Sequence, residues 1–418
     1  MTMTSRPDDE AAPGKPPALV AFTYPAFTLL WLAKFCATFA TQVISVAVGW
    51  QVYDITRNPL DLGLVGLAQF APAIALVLVT GSAADRHDRK RIVLLCIAAE
   101  ILCALALLGL TLRGNARVWP ILAVLLGFGT ARAFFGPASQ AILPNLVARE
   151  HLPNALAFNS TGWQIATILG PVAGGLLYAL GPTAAYGSAA GLMAAAFLLV
   201  VLMRAPPQPQ AYVREGWADV VAGFRYIWNA KIILGAISLD LFAVLLSGAT
   251  ALMPAFARDI LHAGPEALGL LRAAPGIGAV AMALWLAAFP IRDHAGLVMF
   301  WAVALFGATT ALFGLSTTLW LSVACLVVMG AADMISVWVR EILVQANTPD
   351  AVRGRVNAVN MVFVGASNEL GEFRAGTMAA LIGVVPAVVF GGVGAVAVAG
   401  LWAWWFPELR KARRLDGT

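Results

Sequence analysis

Gly81-Ser82-Ala83-Ala84-Asp85-Arg86-His87-Asp88-Arg89-Lys90-Arg91 is a short basic stretch between two long apolar runs. Those runs cover 62–83 and 92–112, and each can supply the roughly 20 apolar residues that a membrane-crossing helix needs. Outward from this loop the pattern repeats. Apolar runs occupy 24–53, 118–139, 158–180 and 183–204, then 231–257, 266–289, 295–316, 318–340, 356–382 and 384–406. The reading is an all-α membrane protein with twelve transmembrane helices. Composition agrees: of 418 residues, 60% are hydrophobic and 12% charged, with a mean hydropathy of +0.82. A soluble domain carries about 25% charged residues. The balance excludes a soluble enzyme, a disordered chain and a collagen-like fibre.

Charge placement sets the expected orientation. With the N-terminus inside, 19 of the 27 Lys and Arg fall on inner segments. Outer loops hold only Arg57, Arg113, Arg117 and Arg258, while Lys34, Arg132, Arg272 and Arg374 lie within or at the edge of spans. By the positive-inside rule both termini are cytoplasmic, with short tails at 1–23 and 407–418. The net charge of +5 then needs no nucleic acid partner. Trp50, Tyr53, Trp119 and Trp320 sit at the expected outer interface, and Trp163, Trp404 and Trp405 at the inner one. The first residues lack the layout of a cleaved signal peptide. Cys36, Cys96, Cys103 and Cys325 lie in apolar runs without paired spacing and read as reduced packing residues.

The longest polar break, 205–230, lies midway along the chain. It opens with Pro206, Pro207 and Pro209, a linker signal. Trp217, Val220, Val221, Phe224, Ile227 and Trp228 follow at helical spacing, opposite Arg214, Glu215, Asp219 and Arg225. This predicts an amphipathic helix, either on the inner membrane surface or packed on the bundle. On each side the sequence echoes itself. Asp54-Ile55, Pro59 and Leu62-Gly63-Leu64 recur as Asp259-Ile260, Pro265 and Leu268-Gly269-Leu270. Ala157-Phe158-Asn159 recurs as Ala358-Val359-Asn360. Two six-helix halves, 24–204 and 231–406, are therefore expected as pseudo-repeats, the architecture of a secondary transporter.

The loop that decides the fold also carries a resemblance. It is similar to the signature loop of the major facilitator superfamily, Gly-x-x-x-Asp-Arg/Lys-x-Gly-Arg-Arg/Lys, matched at Gly81, Asp85, Arg86, Arg89 and Lys90. Asp88 stands where a second Gly is usual, which alters the turn expected there. Gly81 would permit close helix approach, and Asp85 could face the positive N-terminal end of a neighbouring helix. The resemblance makes that neighbour span eleven, which begins near Arg353 and Arg355, and implies a latch holding the cytoplasmic side shut.

Gly170-Pro171-Val172-Ala173-Gly174-Gly175 in span five has a small-xxx-small face and a backbone-breaking Pro171. It resembles the span-five motif of facilitator-superfamily proton antiporters, with Ala166 where a further Gly is usual. In that group the motif seals packing between the halves, so the resemblance favours export. Arg132 and Gly136 in span four resemble the antiporter Arg-x-x-x-Gly core, with Phe135 replacing a polar residue. A buried Arg needs a partner. Glu100 in span three offers a static one, and a role in proton coupling is the alternative. Asp240, Asp333, Glu369, Glu372 and Arg374 are further intramembrane charges and so candidates for proton coupling or substrate binding. Glu369 and Glu372 are one turn apart and repel, which favours keeping a proton on one of them. Neutralisation by Arg374 or a neighbouring helix is the competing reading. Arg340-Glu341 reads as an interface pair at the inner end of span ten.

Other chemistry is missing from the pattern. No phosphate-binding Gly-x-x-x-x-Gly-Lys-Ser/Thr loop, nucleophile–base pair or metal-spaced cluster of His and Cys is visible, so no catalytic residue, metal or cofactor is expected. Gly392 and Gly394 lie in span twelve without the context of a dinucleotide site. Three further stretches, 143–147, 345–357 and 366–372, resemble the superfamily branch that contains the enterobactin exporter and related bacterial efflux proteins. That resemblance implies an inner-membrane carrier exporting a siderophore-like or drug-like small molecule by proton antiport, and a monomer is the expected state. The alternatives are a gradient-driven importer on the same fold and a non-transporting sensor or assembly factor.

Overall fold

A computed structural model describes residues 19–114, 117–204, 216–291 and 293–411. The tail at 1–18, the linker start with Pro206, Pro207, Pro209, Arg214 and Glu215, and the last residues from 412 lie outside the described residues. So do the side chains of Asp85, Trp217, Asp219, Val220 and Val221. The fold is all-helical. The first half comprises α1 (Pro25–Thr56), α2 (Pro59–Arg86), α3 (Arg89–Leu112), α4 (Val118–Ile142), α5 (Leu152–Ala179) and α6 (Pro182–Leu202). The linker contributes α7 (Gly216–Asn229). The second half comprises α8 (Lys231–Ser247), α9 (Ala249–Ala255), α10 (Pro265–Ala288), α11 (Ala295–Leu315), α12 (Leu319–Ala346), α13 (Asp350–Ile382), α14 (Val384–Trp405) and the short α15 (Pro407–Lys411).

Local chemistry sets the helix ends. Pro25, Pro59, Pro182 and Pro265 open their helices, where a missing N–H costs nothing. The Asn58 side chain accepts the Leu60 N–H at 3.1 Å. Arg57 closes α1 in the left-handed region, at φ 53°.

Ten stretches among the described residues are long and apolar enough to cross a membrane. Helices α5 and α13 are equally long but more polar, and they complete the twelve spans. Their polarity has a structural reason. By the internal repeat, α5 and α13 are equivalent, and each packs against the opposite half: α5 on α10, α13 on α2. The repeated glycines sit in those seams. A side chain on Gly63 would stand 3.1 Å from the Phe373 carbonyl oxygen, and one on Gly269 would stand 3.1 Å from the Val172 Cα.

Span seven departs from the single run expected over 231–257. It breaks at Gly248, which is left-handed at φ 50°, and resumes as α9 before a π-helical turn at Phe256–Ile260. A side chain at Gly248 would meet the Gly371 carbonyl and come within 2.8 Å of the Ala375 methyl. Only a glycine satisfies both the backbone angle and the neighbour.

The linker helix α7 packs on the bundle, the second of its two sequence readings. Ile227 is buried, Gly223 lies against the Arg355 carbonyl, and the Tyr226 hydroxyl donates to the Asn347 carbonyl at 2.9 Å. Phe224 and Trp228 stay exposed, with ring centroids 5.8 Å apart.

Candidate functional site

The loop at 81–91 marks one end of the bundle, called the basic end below; the opposite end is the far end. Asp88, the departure from the family pattern, caps α3 by accepting the N–H groups of Lys90 (2.9 Å) and Arg91 (3.3 Å). The Arg89 guanidinium donates to the carbonyls of Ala84 (2.9 Å) and Ala141 (3.0 Å). Lys90 donates to those of Val201 (3.1 Å) and Met203 (2.6 Å). These cations therefore tie the ends of α2, α4 and α6 together by satisfying carbonyls that a helix end leaves open. Arg86 is exposed. No atom comes within 4 Å of where a Gly81 side chain would begin, so the close approach expected there is not made in this conformation. The latch assigned to Asp85 concerns a side chain outside the described residues.

The span-five glycines divide their work. Gly170 abuts the Gln42 side chain and Gly174 the Val43 backbone, so both hold α5 to α1 within one half. Gly175 instead meets α10, 3.1 Å from the Cα atoms of Glu266 and Gly269, and the Pro171 carbonyl abuts Gly269. This is a backbone-to-backbone seam between halves. Beside it, charges cross reciprocally. Arg57 reaches Asp259 at 3.1 Å, Arg258 pairs with Asp54, and the Tyr53 hydroxyl donates to Asp259. Arg258 also lies over the Trp50 ring, 5.6 Å from its centre. The repeated Asp54 and Asp259 are thus the two poles of one clasp that closes the far end.

Beneath this closure lie two adjoining cavities. One, of about 410 Å³, lies between the halves and is lined by Gln42, Gln69, Arg132, Arg272, Glu369 and Glu372 among others. The other, of about 520 Å³, lies in the first half. Its walls include Trp31, Lys34, Phe35, Glu100, Arg132 and Trp163, and extend to Gln140 and Asn159 near the basic ends of α4 and α5. Trp31 stacks on Phe35 with centroids 5.8 Å apart, a flat aromatic wall beside unlike charges. The far end is thus closed by the seam and the clasp, and the first-half cavity extends towards the basic end.

Several intramembrane charges are placed otherwise than expected. A static Arg132–Glu100 pair is not formed: Arg132 faces both cavities, and one Glu100 carboxylate oxygen is buried without a hydrogen-bond partner. Arg374 does not neutralise the acid pair. Its guanidinium turns to the end of α8 and donates to the carbonyls of Leu245 (3.0 Å) and Leu246, freed by the break at Gly248. Nor is Arg340 an interface residue. It is 4% exposed and pairs with Asp240 across α12 and α8, while Glu341 accepts from Asn360 at 3.2 Å. Asp333 belongs to this same buried group, within electrostatic reach of Asp240 and Arg340. None of the three is among the side chains lining the two cavities. Arg272 of α10 faces Glu369 and Glu372, with Arg132 also within electrostatic reach of Glu369, and Arg272 donates to the Ser45 hydroxyl of α1. Lys34 and Arg272, which the sequence places within or at the edge of spans without a role, line these cavities; a lone cation in an apolar run is their only signal.

The role of Arg374 is testable. Arg374→Met is expected to lower thermal stability in detergent, because each buried carbonyl left without a donor costs about 1–3 kcal/mol. An unchanged melting temperature would remove the capping role.

A helical bundle of two pseudo-repeats around a charged central cavity defines a secondary transporter. The chain belongs to the transmembrane secretion effector family of the major facilitator superfamily, which it matches over residues 17–416. It is 31% identical over 401 residues to the enterobactin exporter EntS of Citrobacter koseri, covering 94% of each chain. The fold is similar to a mutant of the nucleoside transporter NupG, with a TM-score of 0.72 at 14% identity, covering 91% of this chain and 100% of that one. It is equally similar, at 0.72 and 15% identity, to an inward-facing, occupied bacterial homologue of the lysosomal transporter Spinster, covering 95% and 99%. The chain is a transporter rather than an enzyme.

Proposed function

We propose that this protein exports a small, polar, ring-bearing molecule of the siderophore-like or drug-like class in exchange for protons. The observation that carries the reading is the pair Glu369 and Glu372, facing Arg132 and Arg272 in a cavity between the two halves. Two carboxylates with shared cations can hold one proton without leaving the site uncharged. Protonation from the far side accompanies cargo release, and deprotonation towards the basic end resets the carrier. The aromatic wall of Trp31 and Phe35 suits a ring-bearing cargo, and Lys34, Glu100 and the amides of Gln140 and Asn159 offer hydrogen bonds. The relative's name supports siderophore-like cargo, and the span-five seam supports export.

The basic end is assigned to the cytoplasm by its Lys and Arg, which puts both termini there, in the inner membrane. A monomer suffices, since one chain supplies both halves of the cavity. The test is uptake into inverted vesicles under an imposed pH gradient, with a panel of siderophores and dyes. Gradient-dependent uptake of at least one compound is expected. Its absence across the panel would overturn the efflux reading.

A further inference from the structure

A third cavity lies outside the transport path. It is a groove of about 660 Å³ on the membrane face of α3 and α4. Its walls are apolar: Ile92, Leu95 and Ala99 from α3, with Gly127, Ala131 and Phe134 from α4. Small residues make the slot, since Ala99 and Gly127 leave space where larger side chains would close it. The groove starts at the basic end, with His87, Asp88 and Arg91, and runs to Ala99 near mid-span. From Arg91 to Ala99 a helix rises about 12 Å, roughly the reach of a ten-carbon chain. Thr130 is the other polar residue of the lining.

The Arg91 side chain is 83% exposed, with its Nε 3.5 Å from the Asp88 carboxylate. The Asp88 carboxylate is already engaged by the Lys90 and Arg91 N–H groups. His87 Nδ1 lies 3.3 Å from the Ala83 carbonyl. The groove therefore offers one well-exposed cation, Arg91, at its mouth on the basic end, and an apolar shaft running towards mid-span.

We propose that this groove binds one acyl chain of an anionic phospholipid from the leaflet at the basic end, with the headgroup held by Arg91. Charge complementarity selects the occupant, because anionic headgroups concentrate beside basic residues at a membrane surface. The position gives the site a consequence. Helix α4 presents Gly127, Thr130, Ala131 and Phe134 to the groove and Arg132, Phe135 and Ser139 to the cargo cavity. A lipid wedged between α3 and α4 thus bears directly on the helix that carries Arg132.

The test is photo-crosslinking in nanodiscs, with a phosphatidylglycerol bearing a diazirine within about the first ten carbons of an acyl chain, the reach of the shaft, followed by peptide mapping. Adducts are expected to concentrate on 95–99 and 127–134, and unlabelled phosphatidylglycerol should compete better than phosphatidylcholine. Glycerophosphoglycerol, which lacks chains, should not compete. Arg91→Gln should weaken labelling about fivefold, the weight of one basic residue at an anionic surface. Ala99→Phe, which fills the shaft, should remove these adducts while leaving labelling elsewhere on the protein intact. That intact labelling also reports that the variant is folded. Labelling spread evenly over exposed Leu102, Leu105 and Leu126, or equal competition by phosphatidylcholine, would overturn the proposal. So would displacement by transported compounds but not by phosphatidylglycerol, which would make the groove a cargo entrance.

Discussion

Replacing Glu369 and Glu372 together by Gln is expected to bring gradient-driven uptake into inverted vesicles down to that of protein-free vesicles. The folded protein should survive the change. Buried carboxylates are costly to the native state, so neutral isosteres should leave the melting temperature unchanged or raise it. A purely structural acid pair would give the opposite, a lower melting temperature with transport falling in parallel. The single variants separate the two positions. Glu372 packs closer to α2, its carboxylate 3.0 Å from where a side chain on Gly66 would begin, against 3.4 Å for Glu369. The cations near them differ too: Arg272 acts on both acids, and Arg132 on Glu369. Glu372→Gln should thus abolish coupling alone, and Glu369→Gln should chiefly weaken it. Retained uptake in the double variant would show that the proton is carried elsewhere.

Much of this site could be seen in the sequence, and what escaped has a common cause. Apolar runs and basic loops report span number directly, because hydrocarbon tolerates little else. The two more polar spans, α5 and α13, are still legible as the apolar runs 158–180 and 356–382. Glu369 and Glu372 were legible because a one-turn spacing fixes a shared face whatever surrounds it. Direction across the bundle is not written that way. Arg374 is five residues from Glu369 on the same helix, yet it points at α8, drawn by two carbonyls that a glycine break leaves open. The break itself was hidden, since hydropathy is indifferent to the backbone angle at Gly248. Arg340 looked like an interface residue because it borders Glu341, but Asp240, one hundred positions earlier in the chain, claims it. Arg272 was hidden for the converse reason. Its partners, Ser45 and the acid pair, come from α1 and α13, and only folding brings them together.

Gly175→Leu is expected to prevent the far end from closing and so to trap the carrier with that end open. The argument turns on which closure is stronger. The clasp of Asp54, Arg57, Arg258 and Asp259 is conspicuous, but three of its four side chains are 39% to 51% exposed. Exposed ion pairs contribute about 0–1 kcal/mol each. The seam at Gly175 has no such tolerance, because Glu266 and Gly269 backbone atoms stand 3.1 Å from the first atom of any side chain there. Overpacking of this kind costs about 1–3 kcal/mol, occasionally more, and here the cost falls only on the closed far end. Free energies of that size shift a two-state population about five- to 150-fold. A reporter cysteine at Ser45, in a background without the four native cysteines, should gain accessibility from the far side accordingly. Arg57→Gln with Arg258→Gln should shift the same reporter less. The opposite order would make the charged clasp, rather than the glycine seam, the element that holds the far end shut.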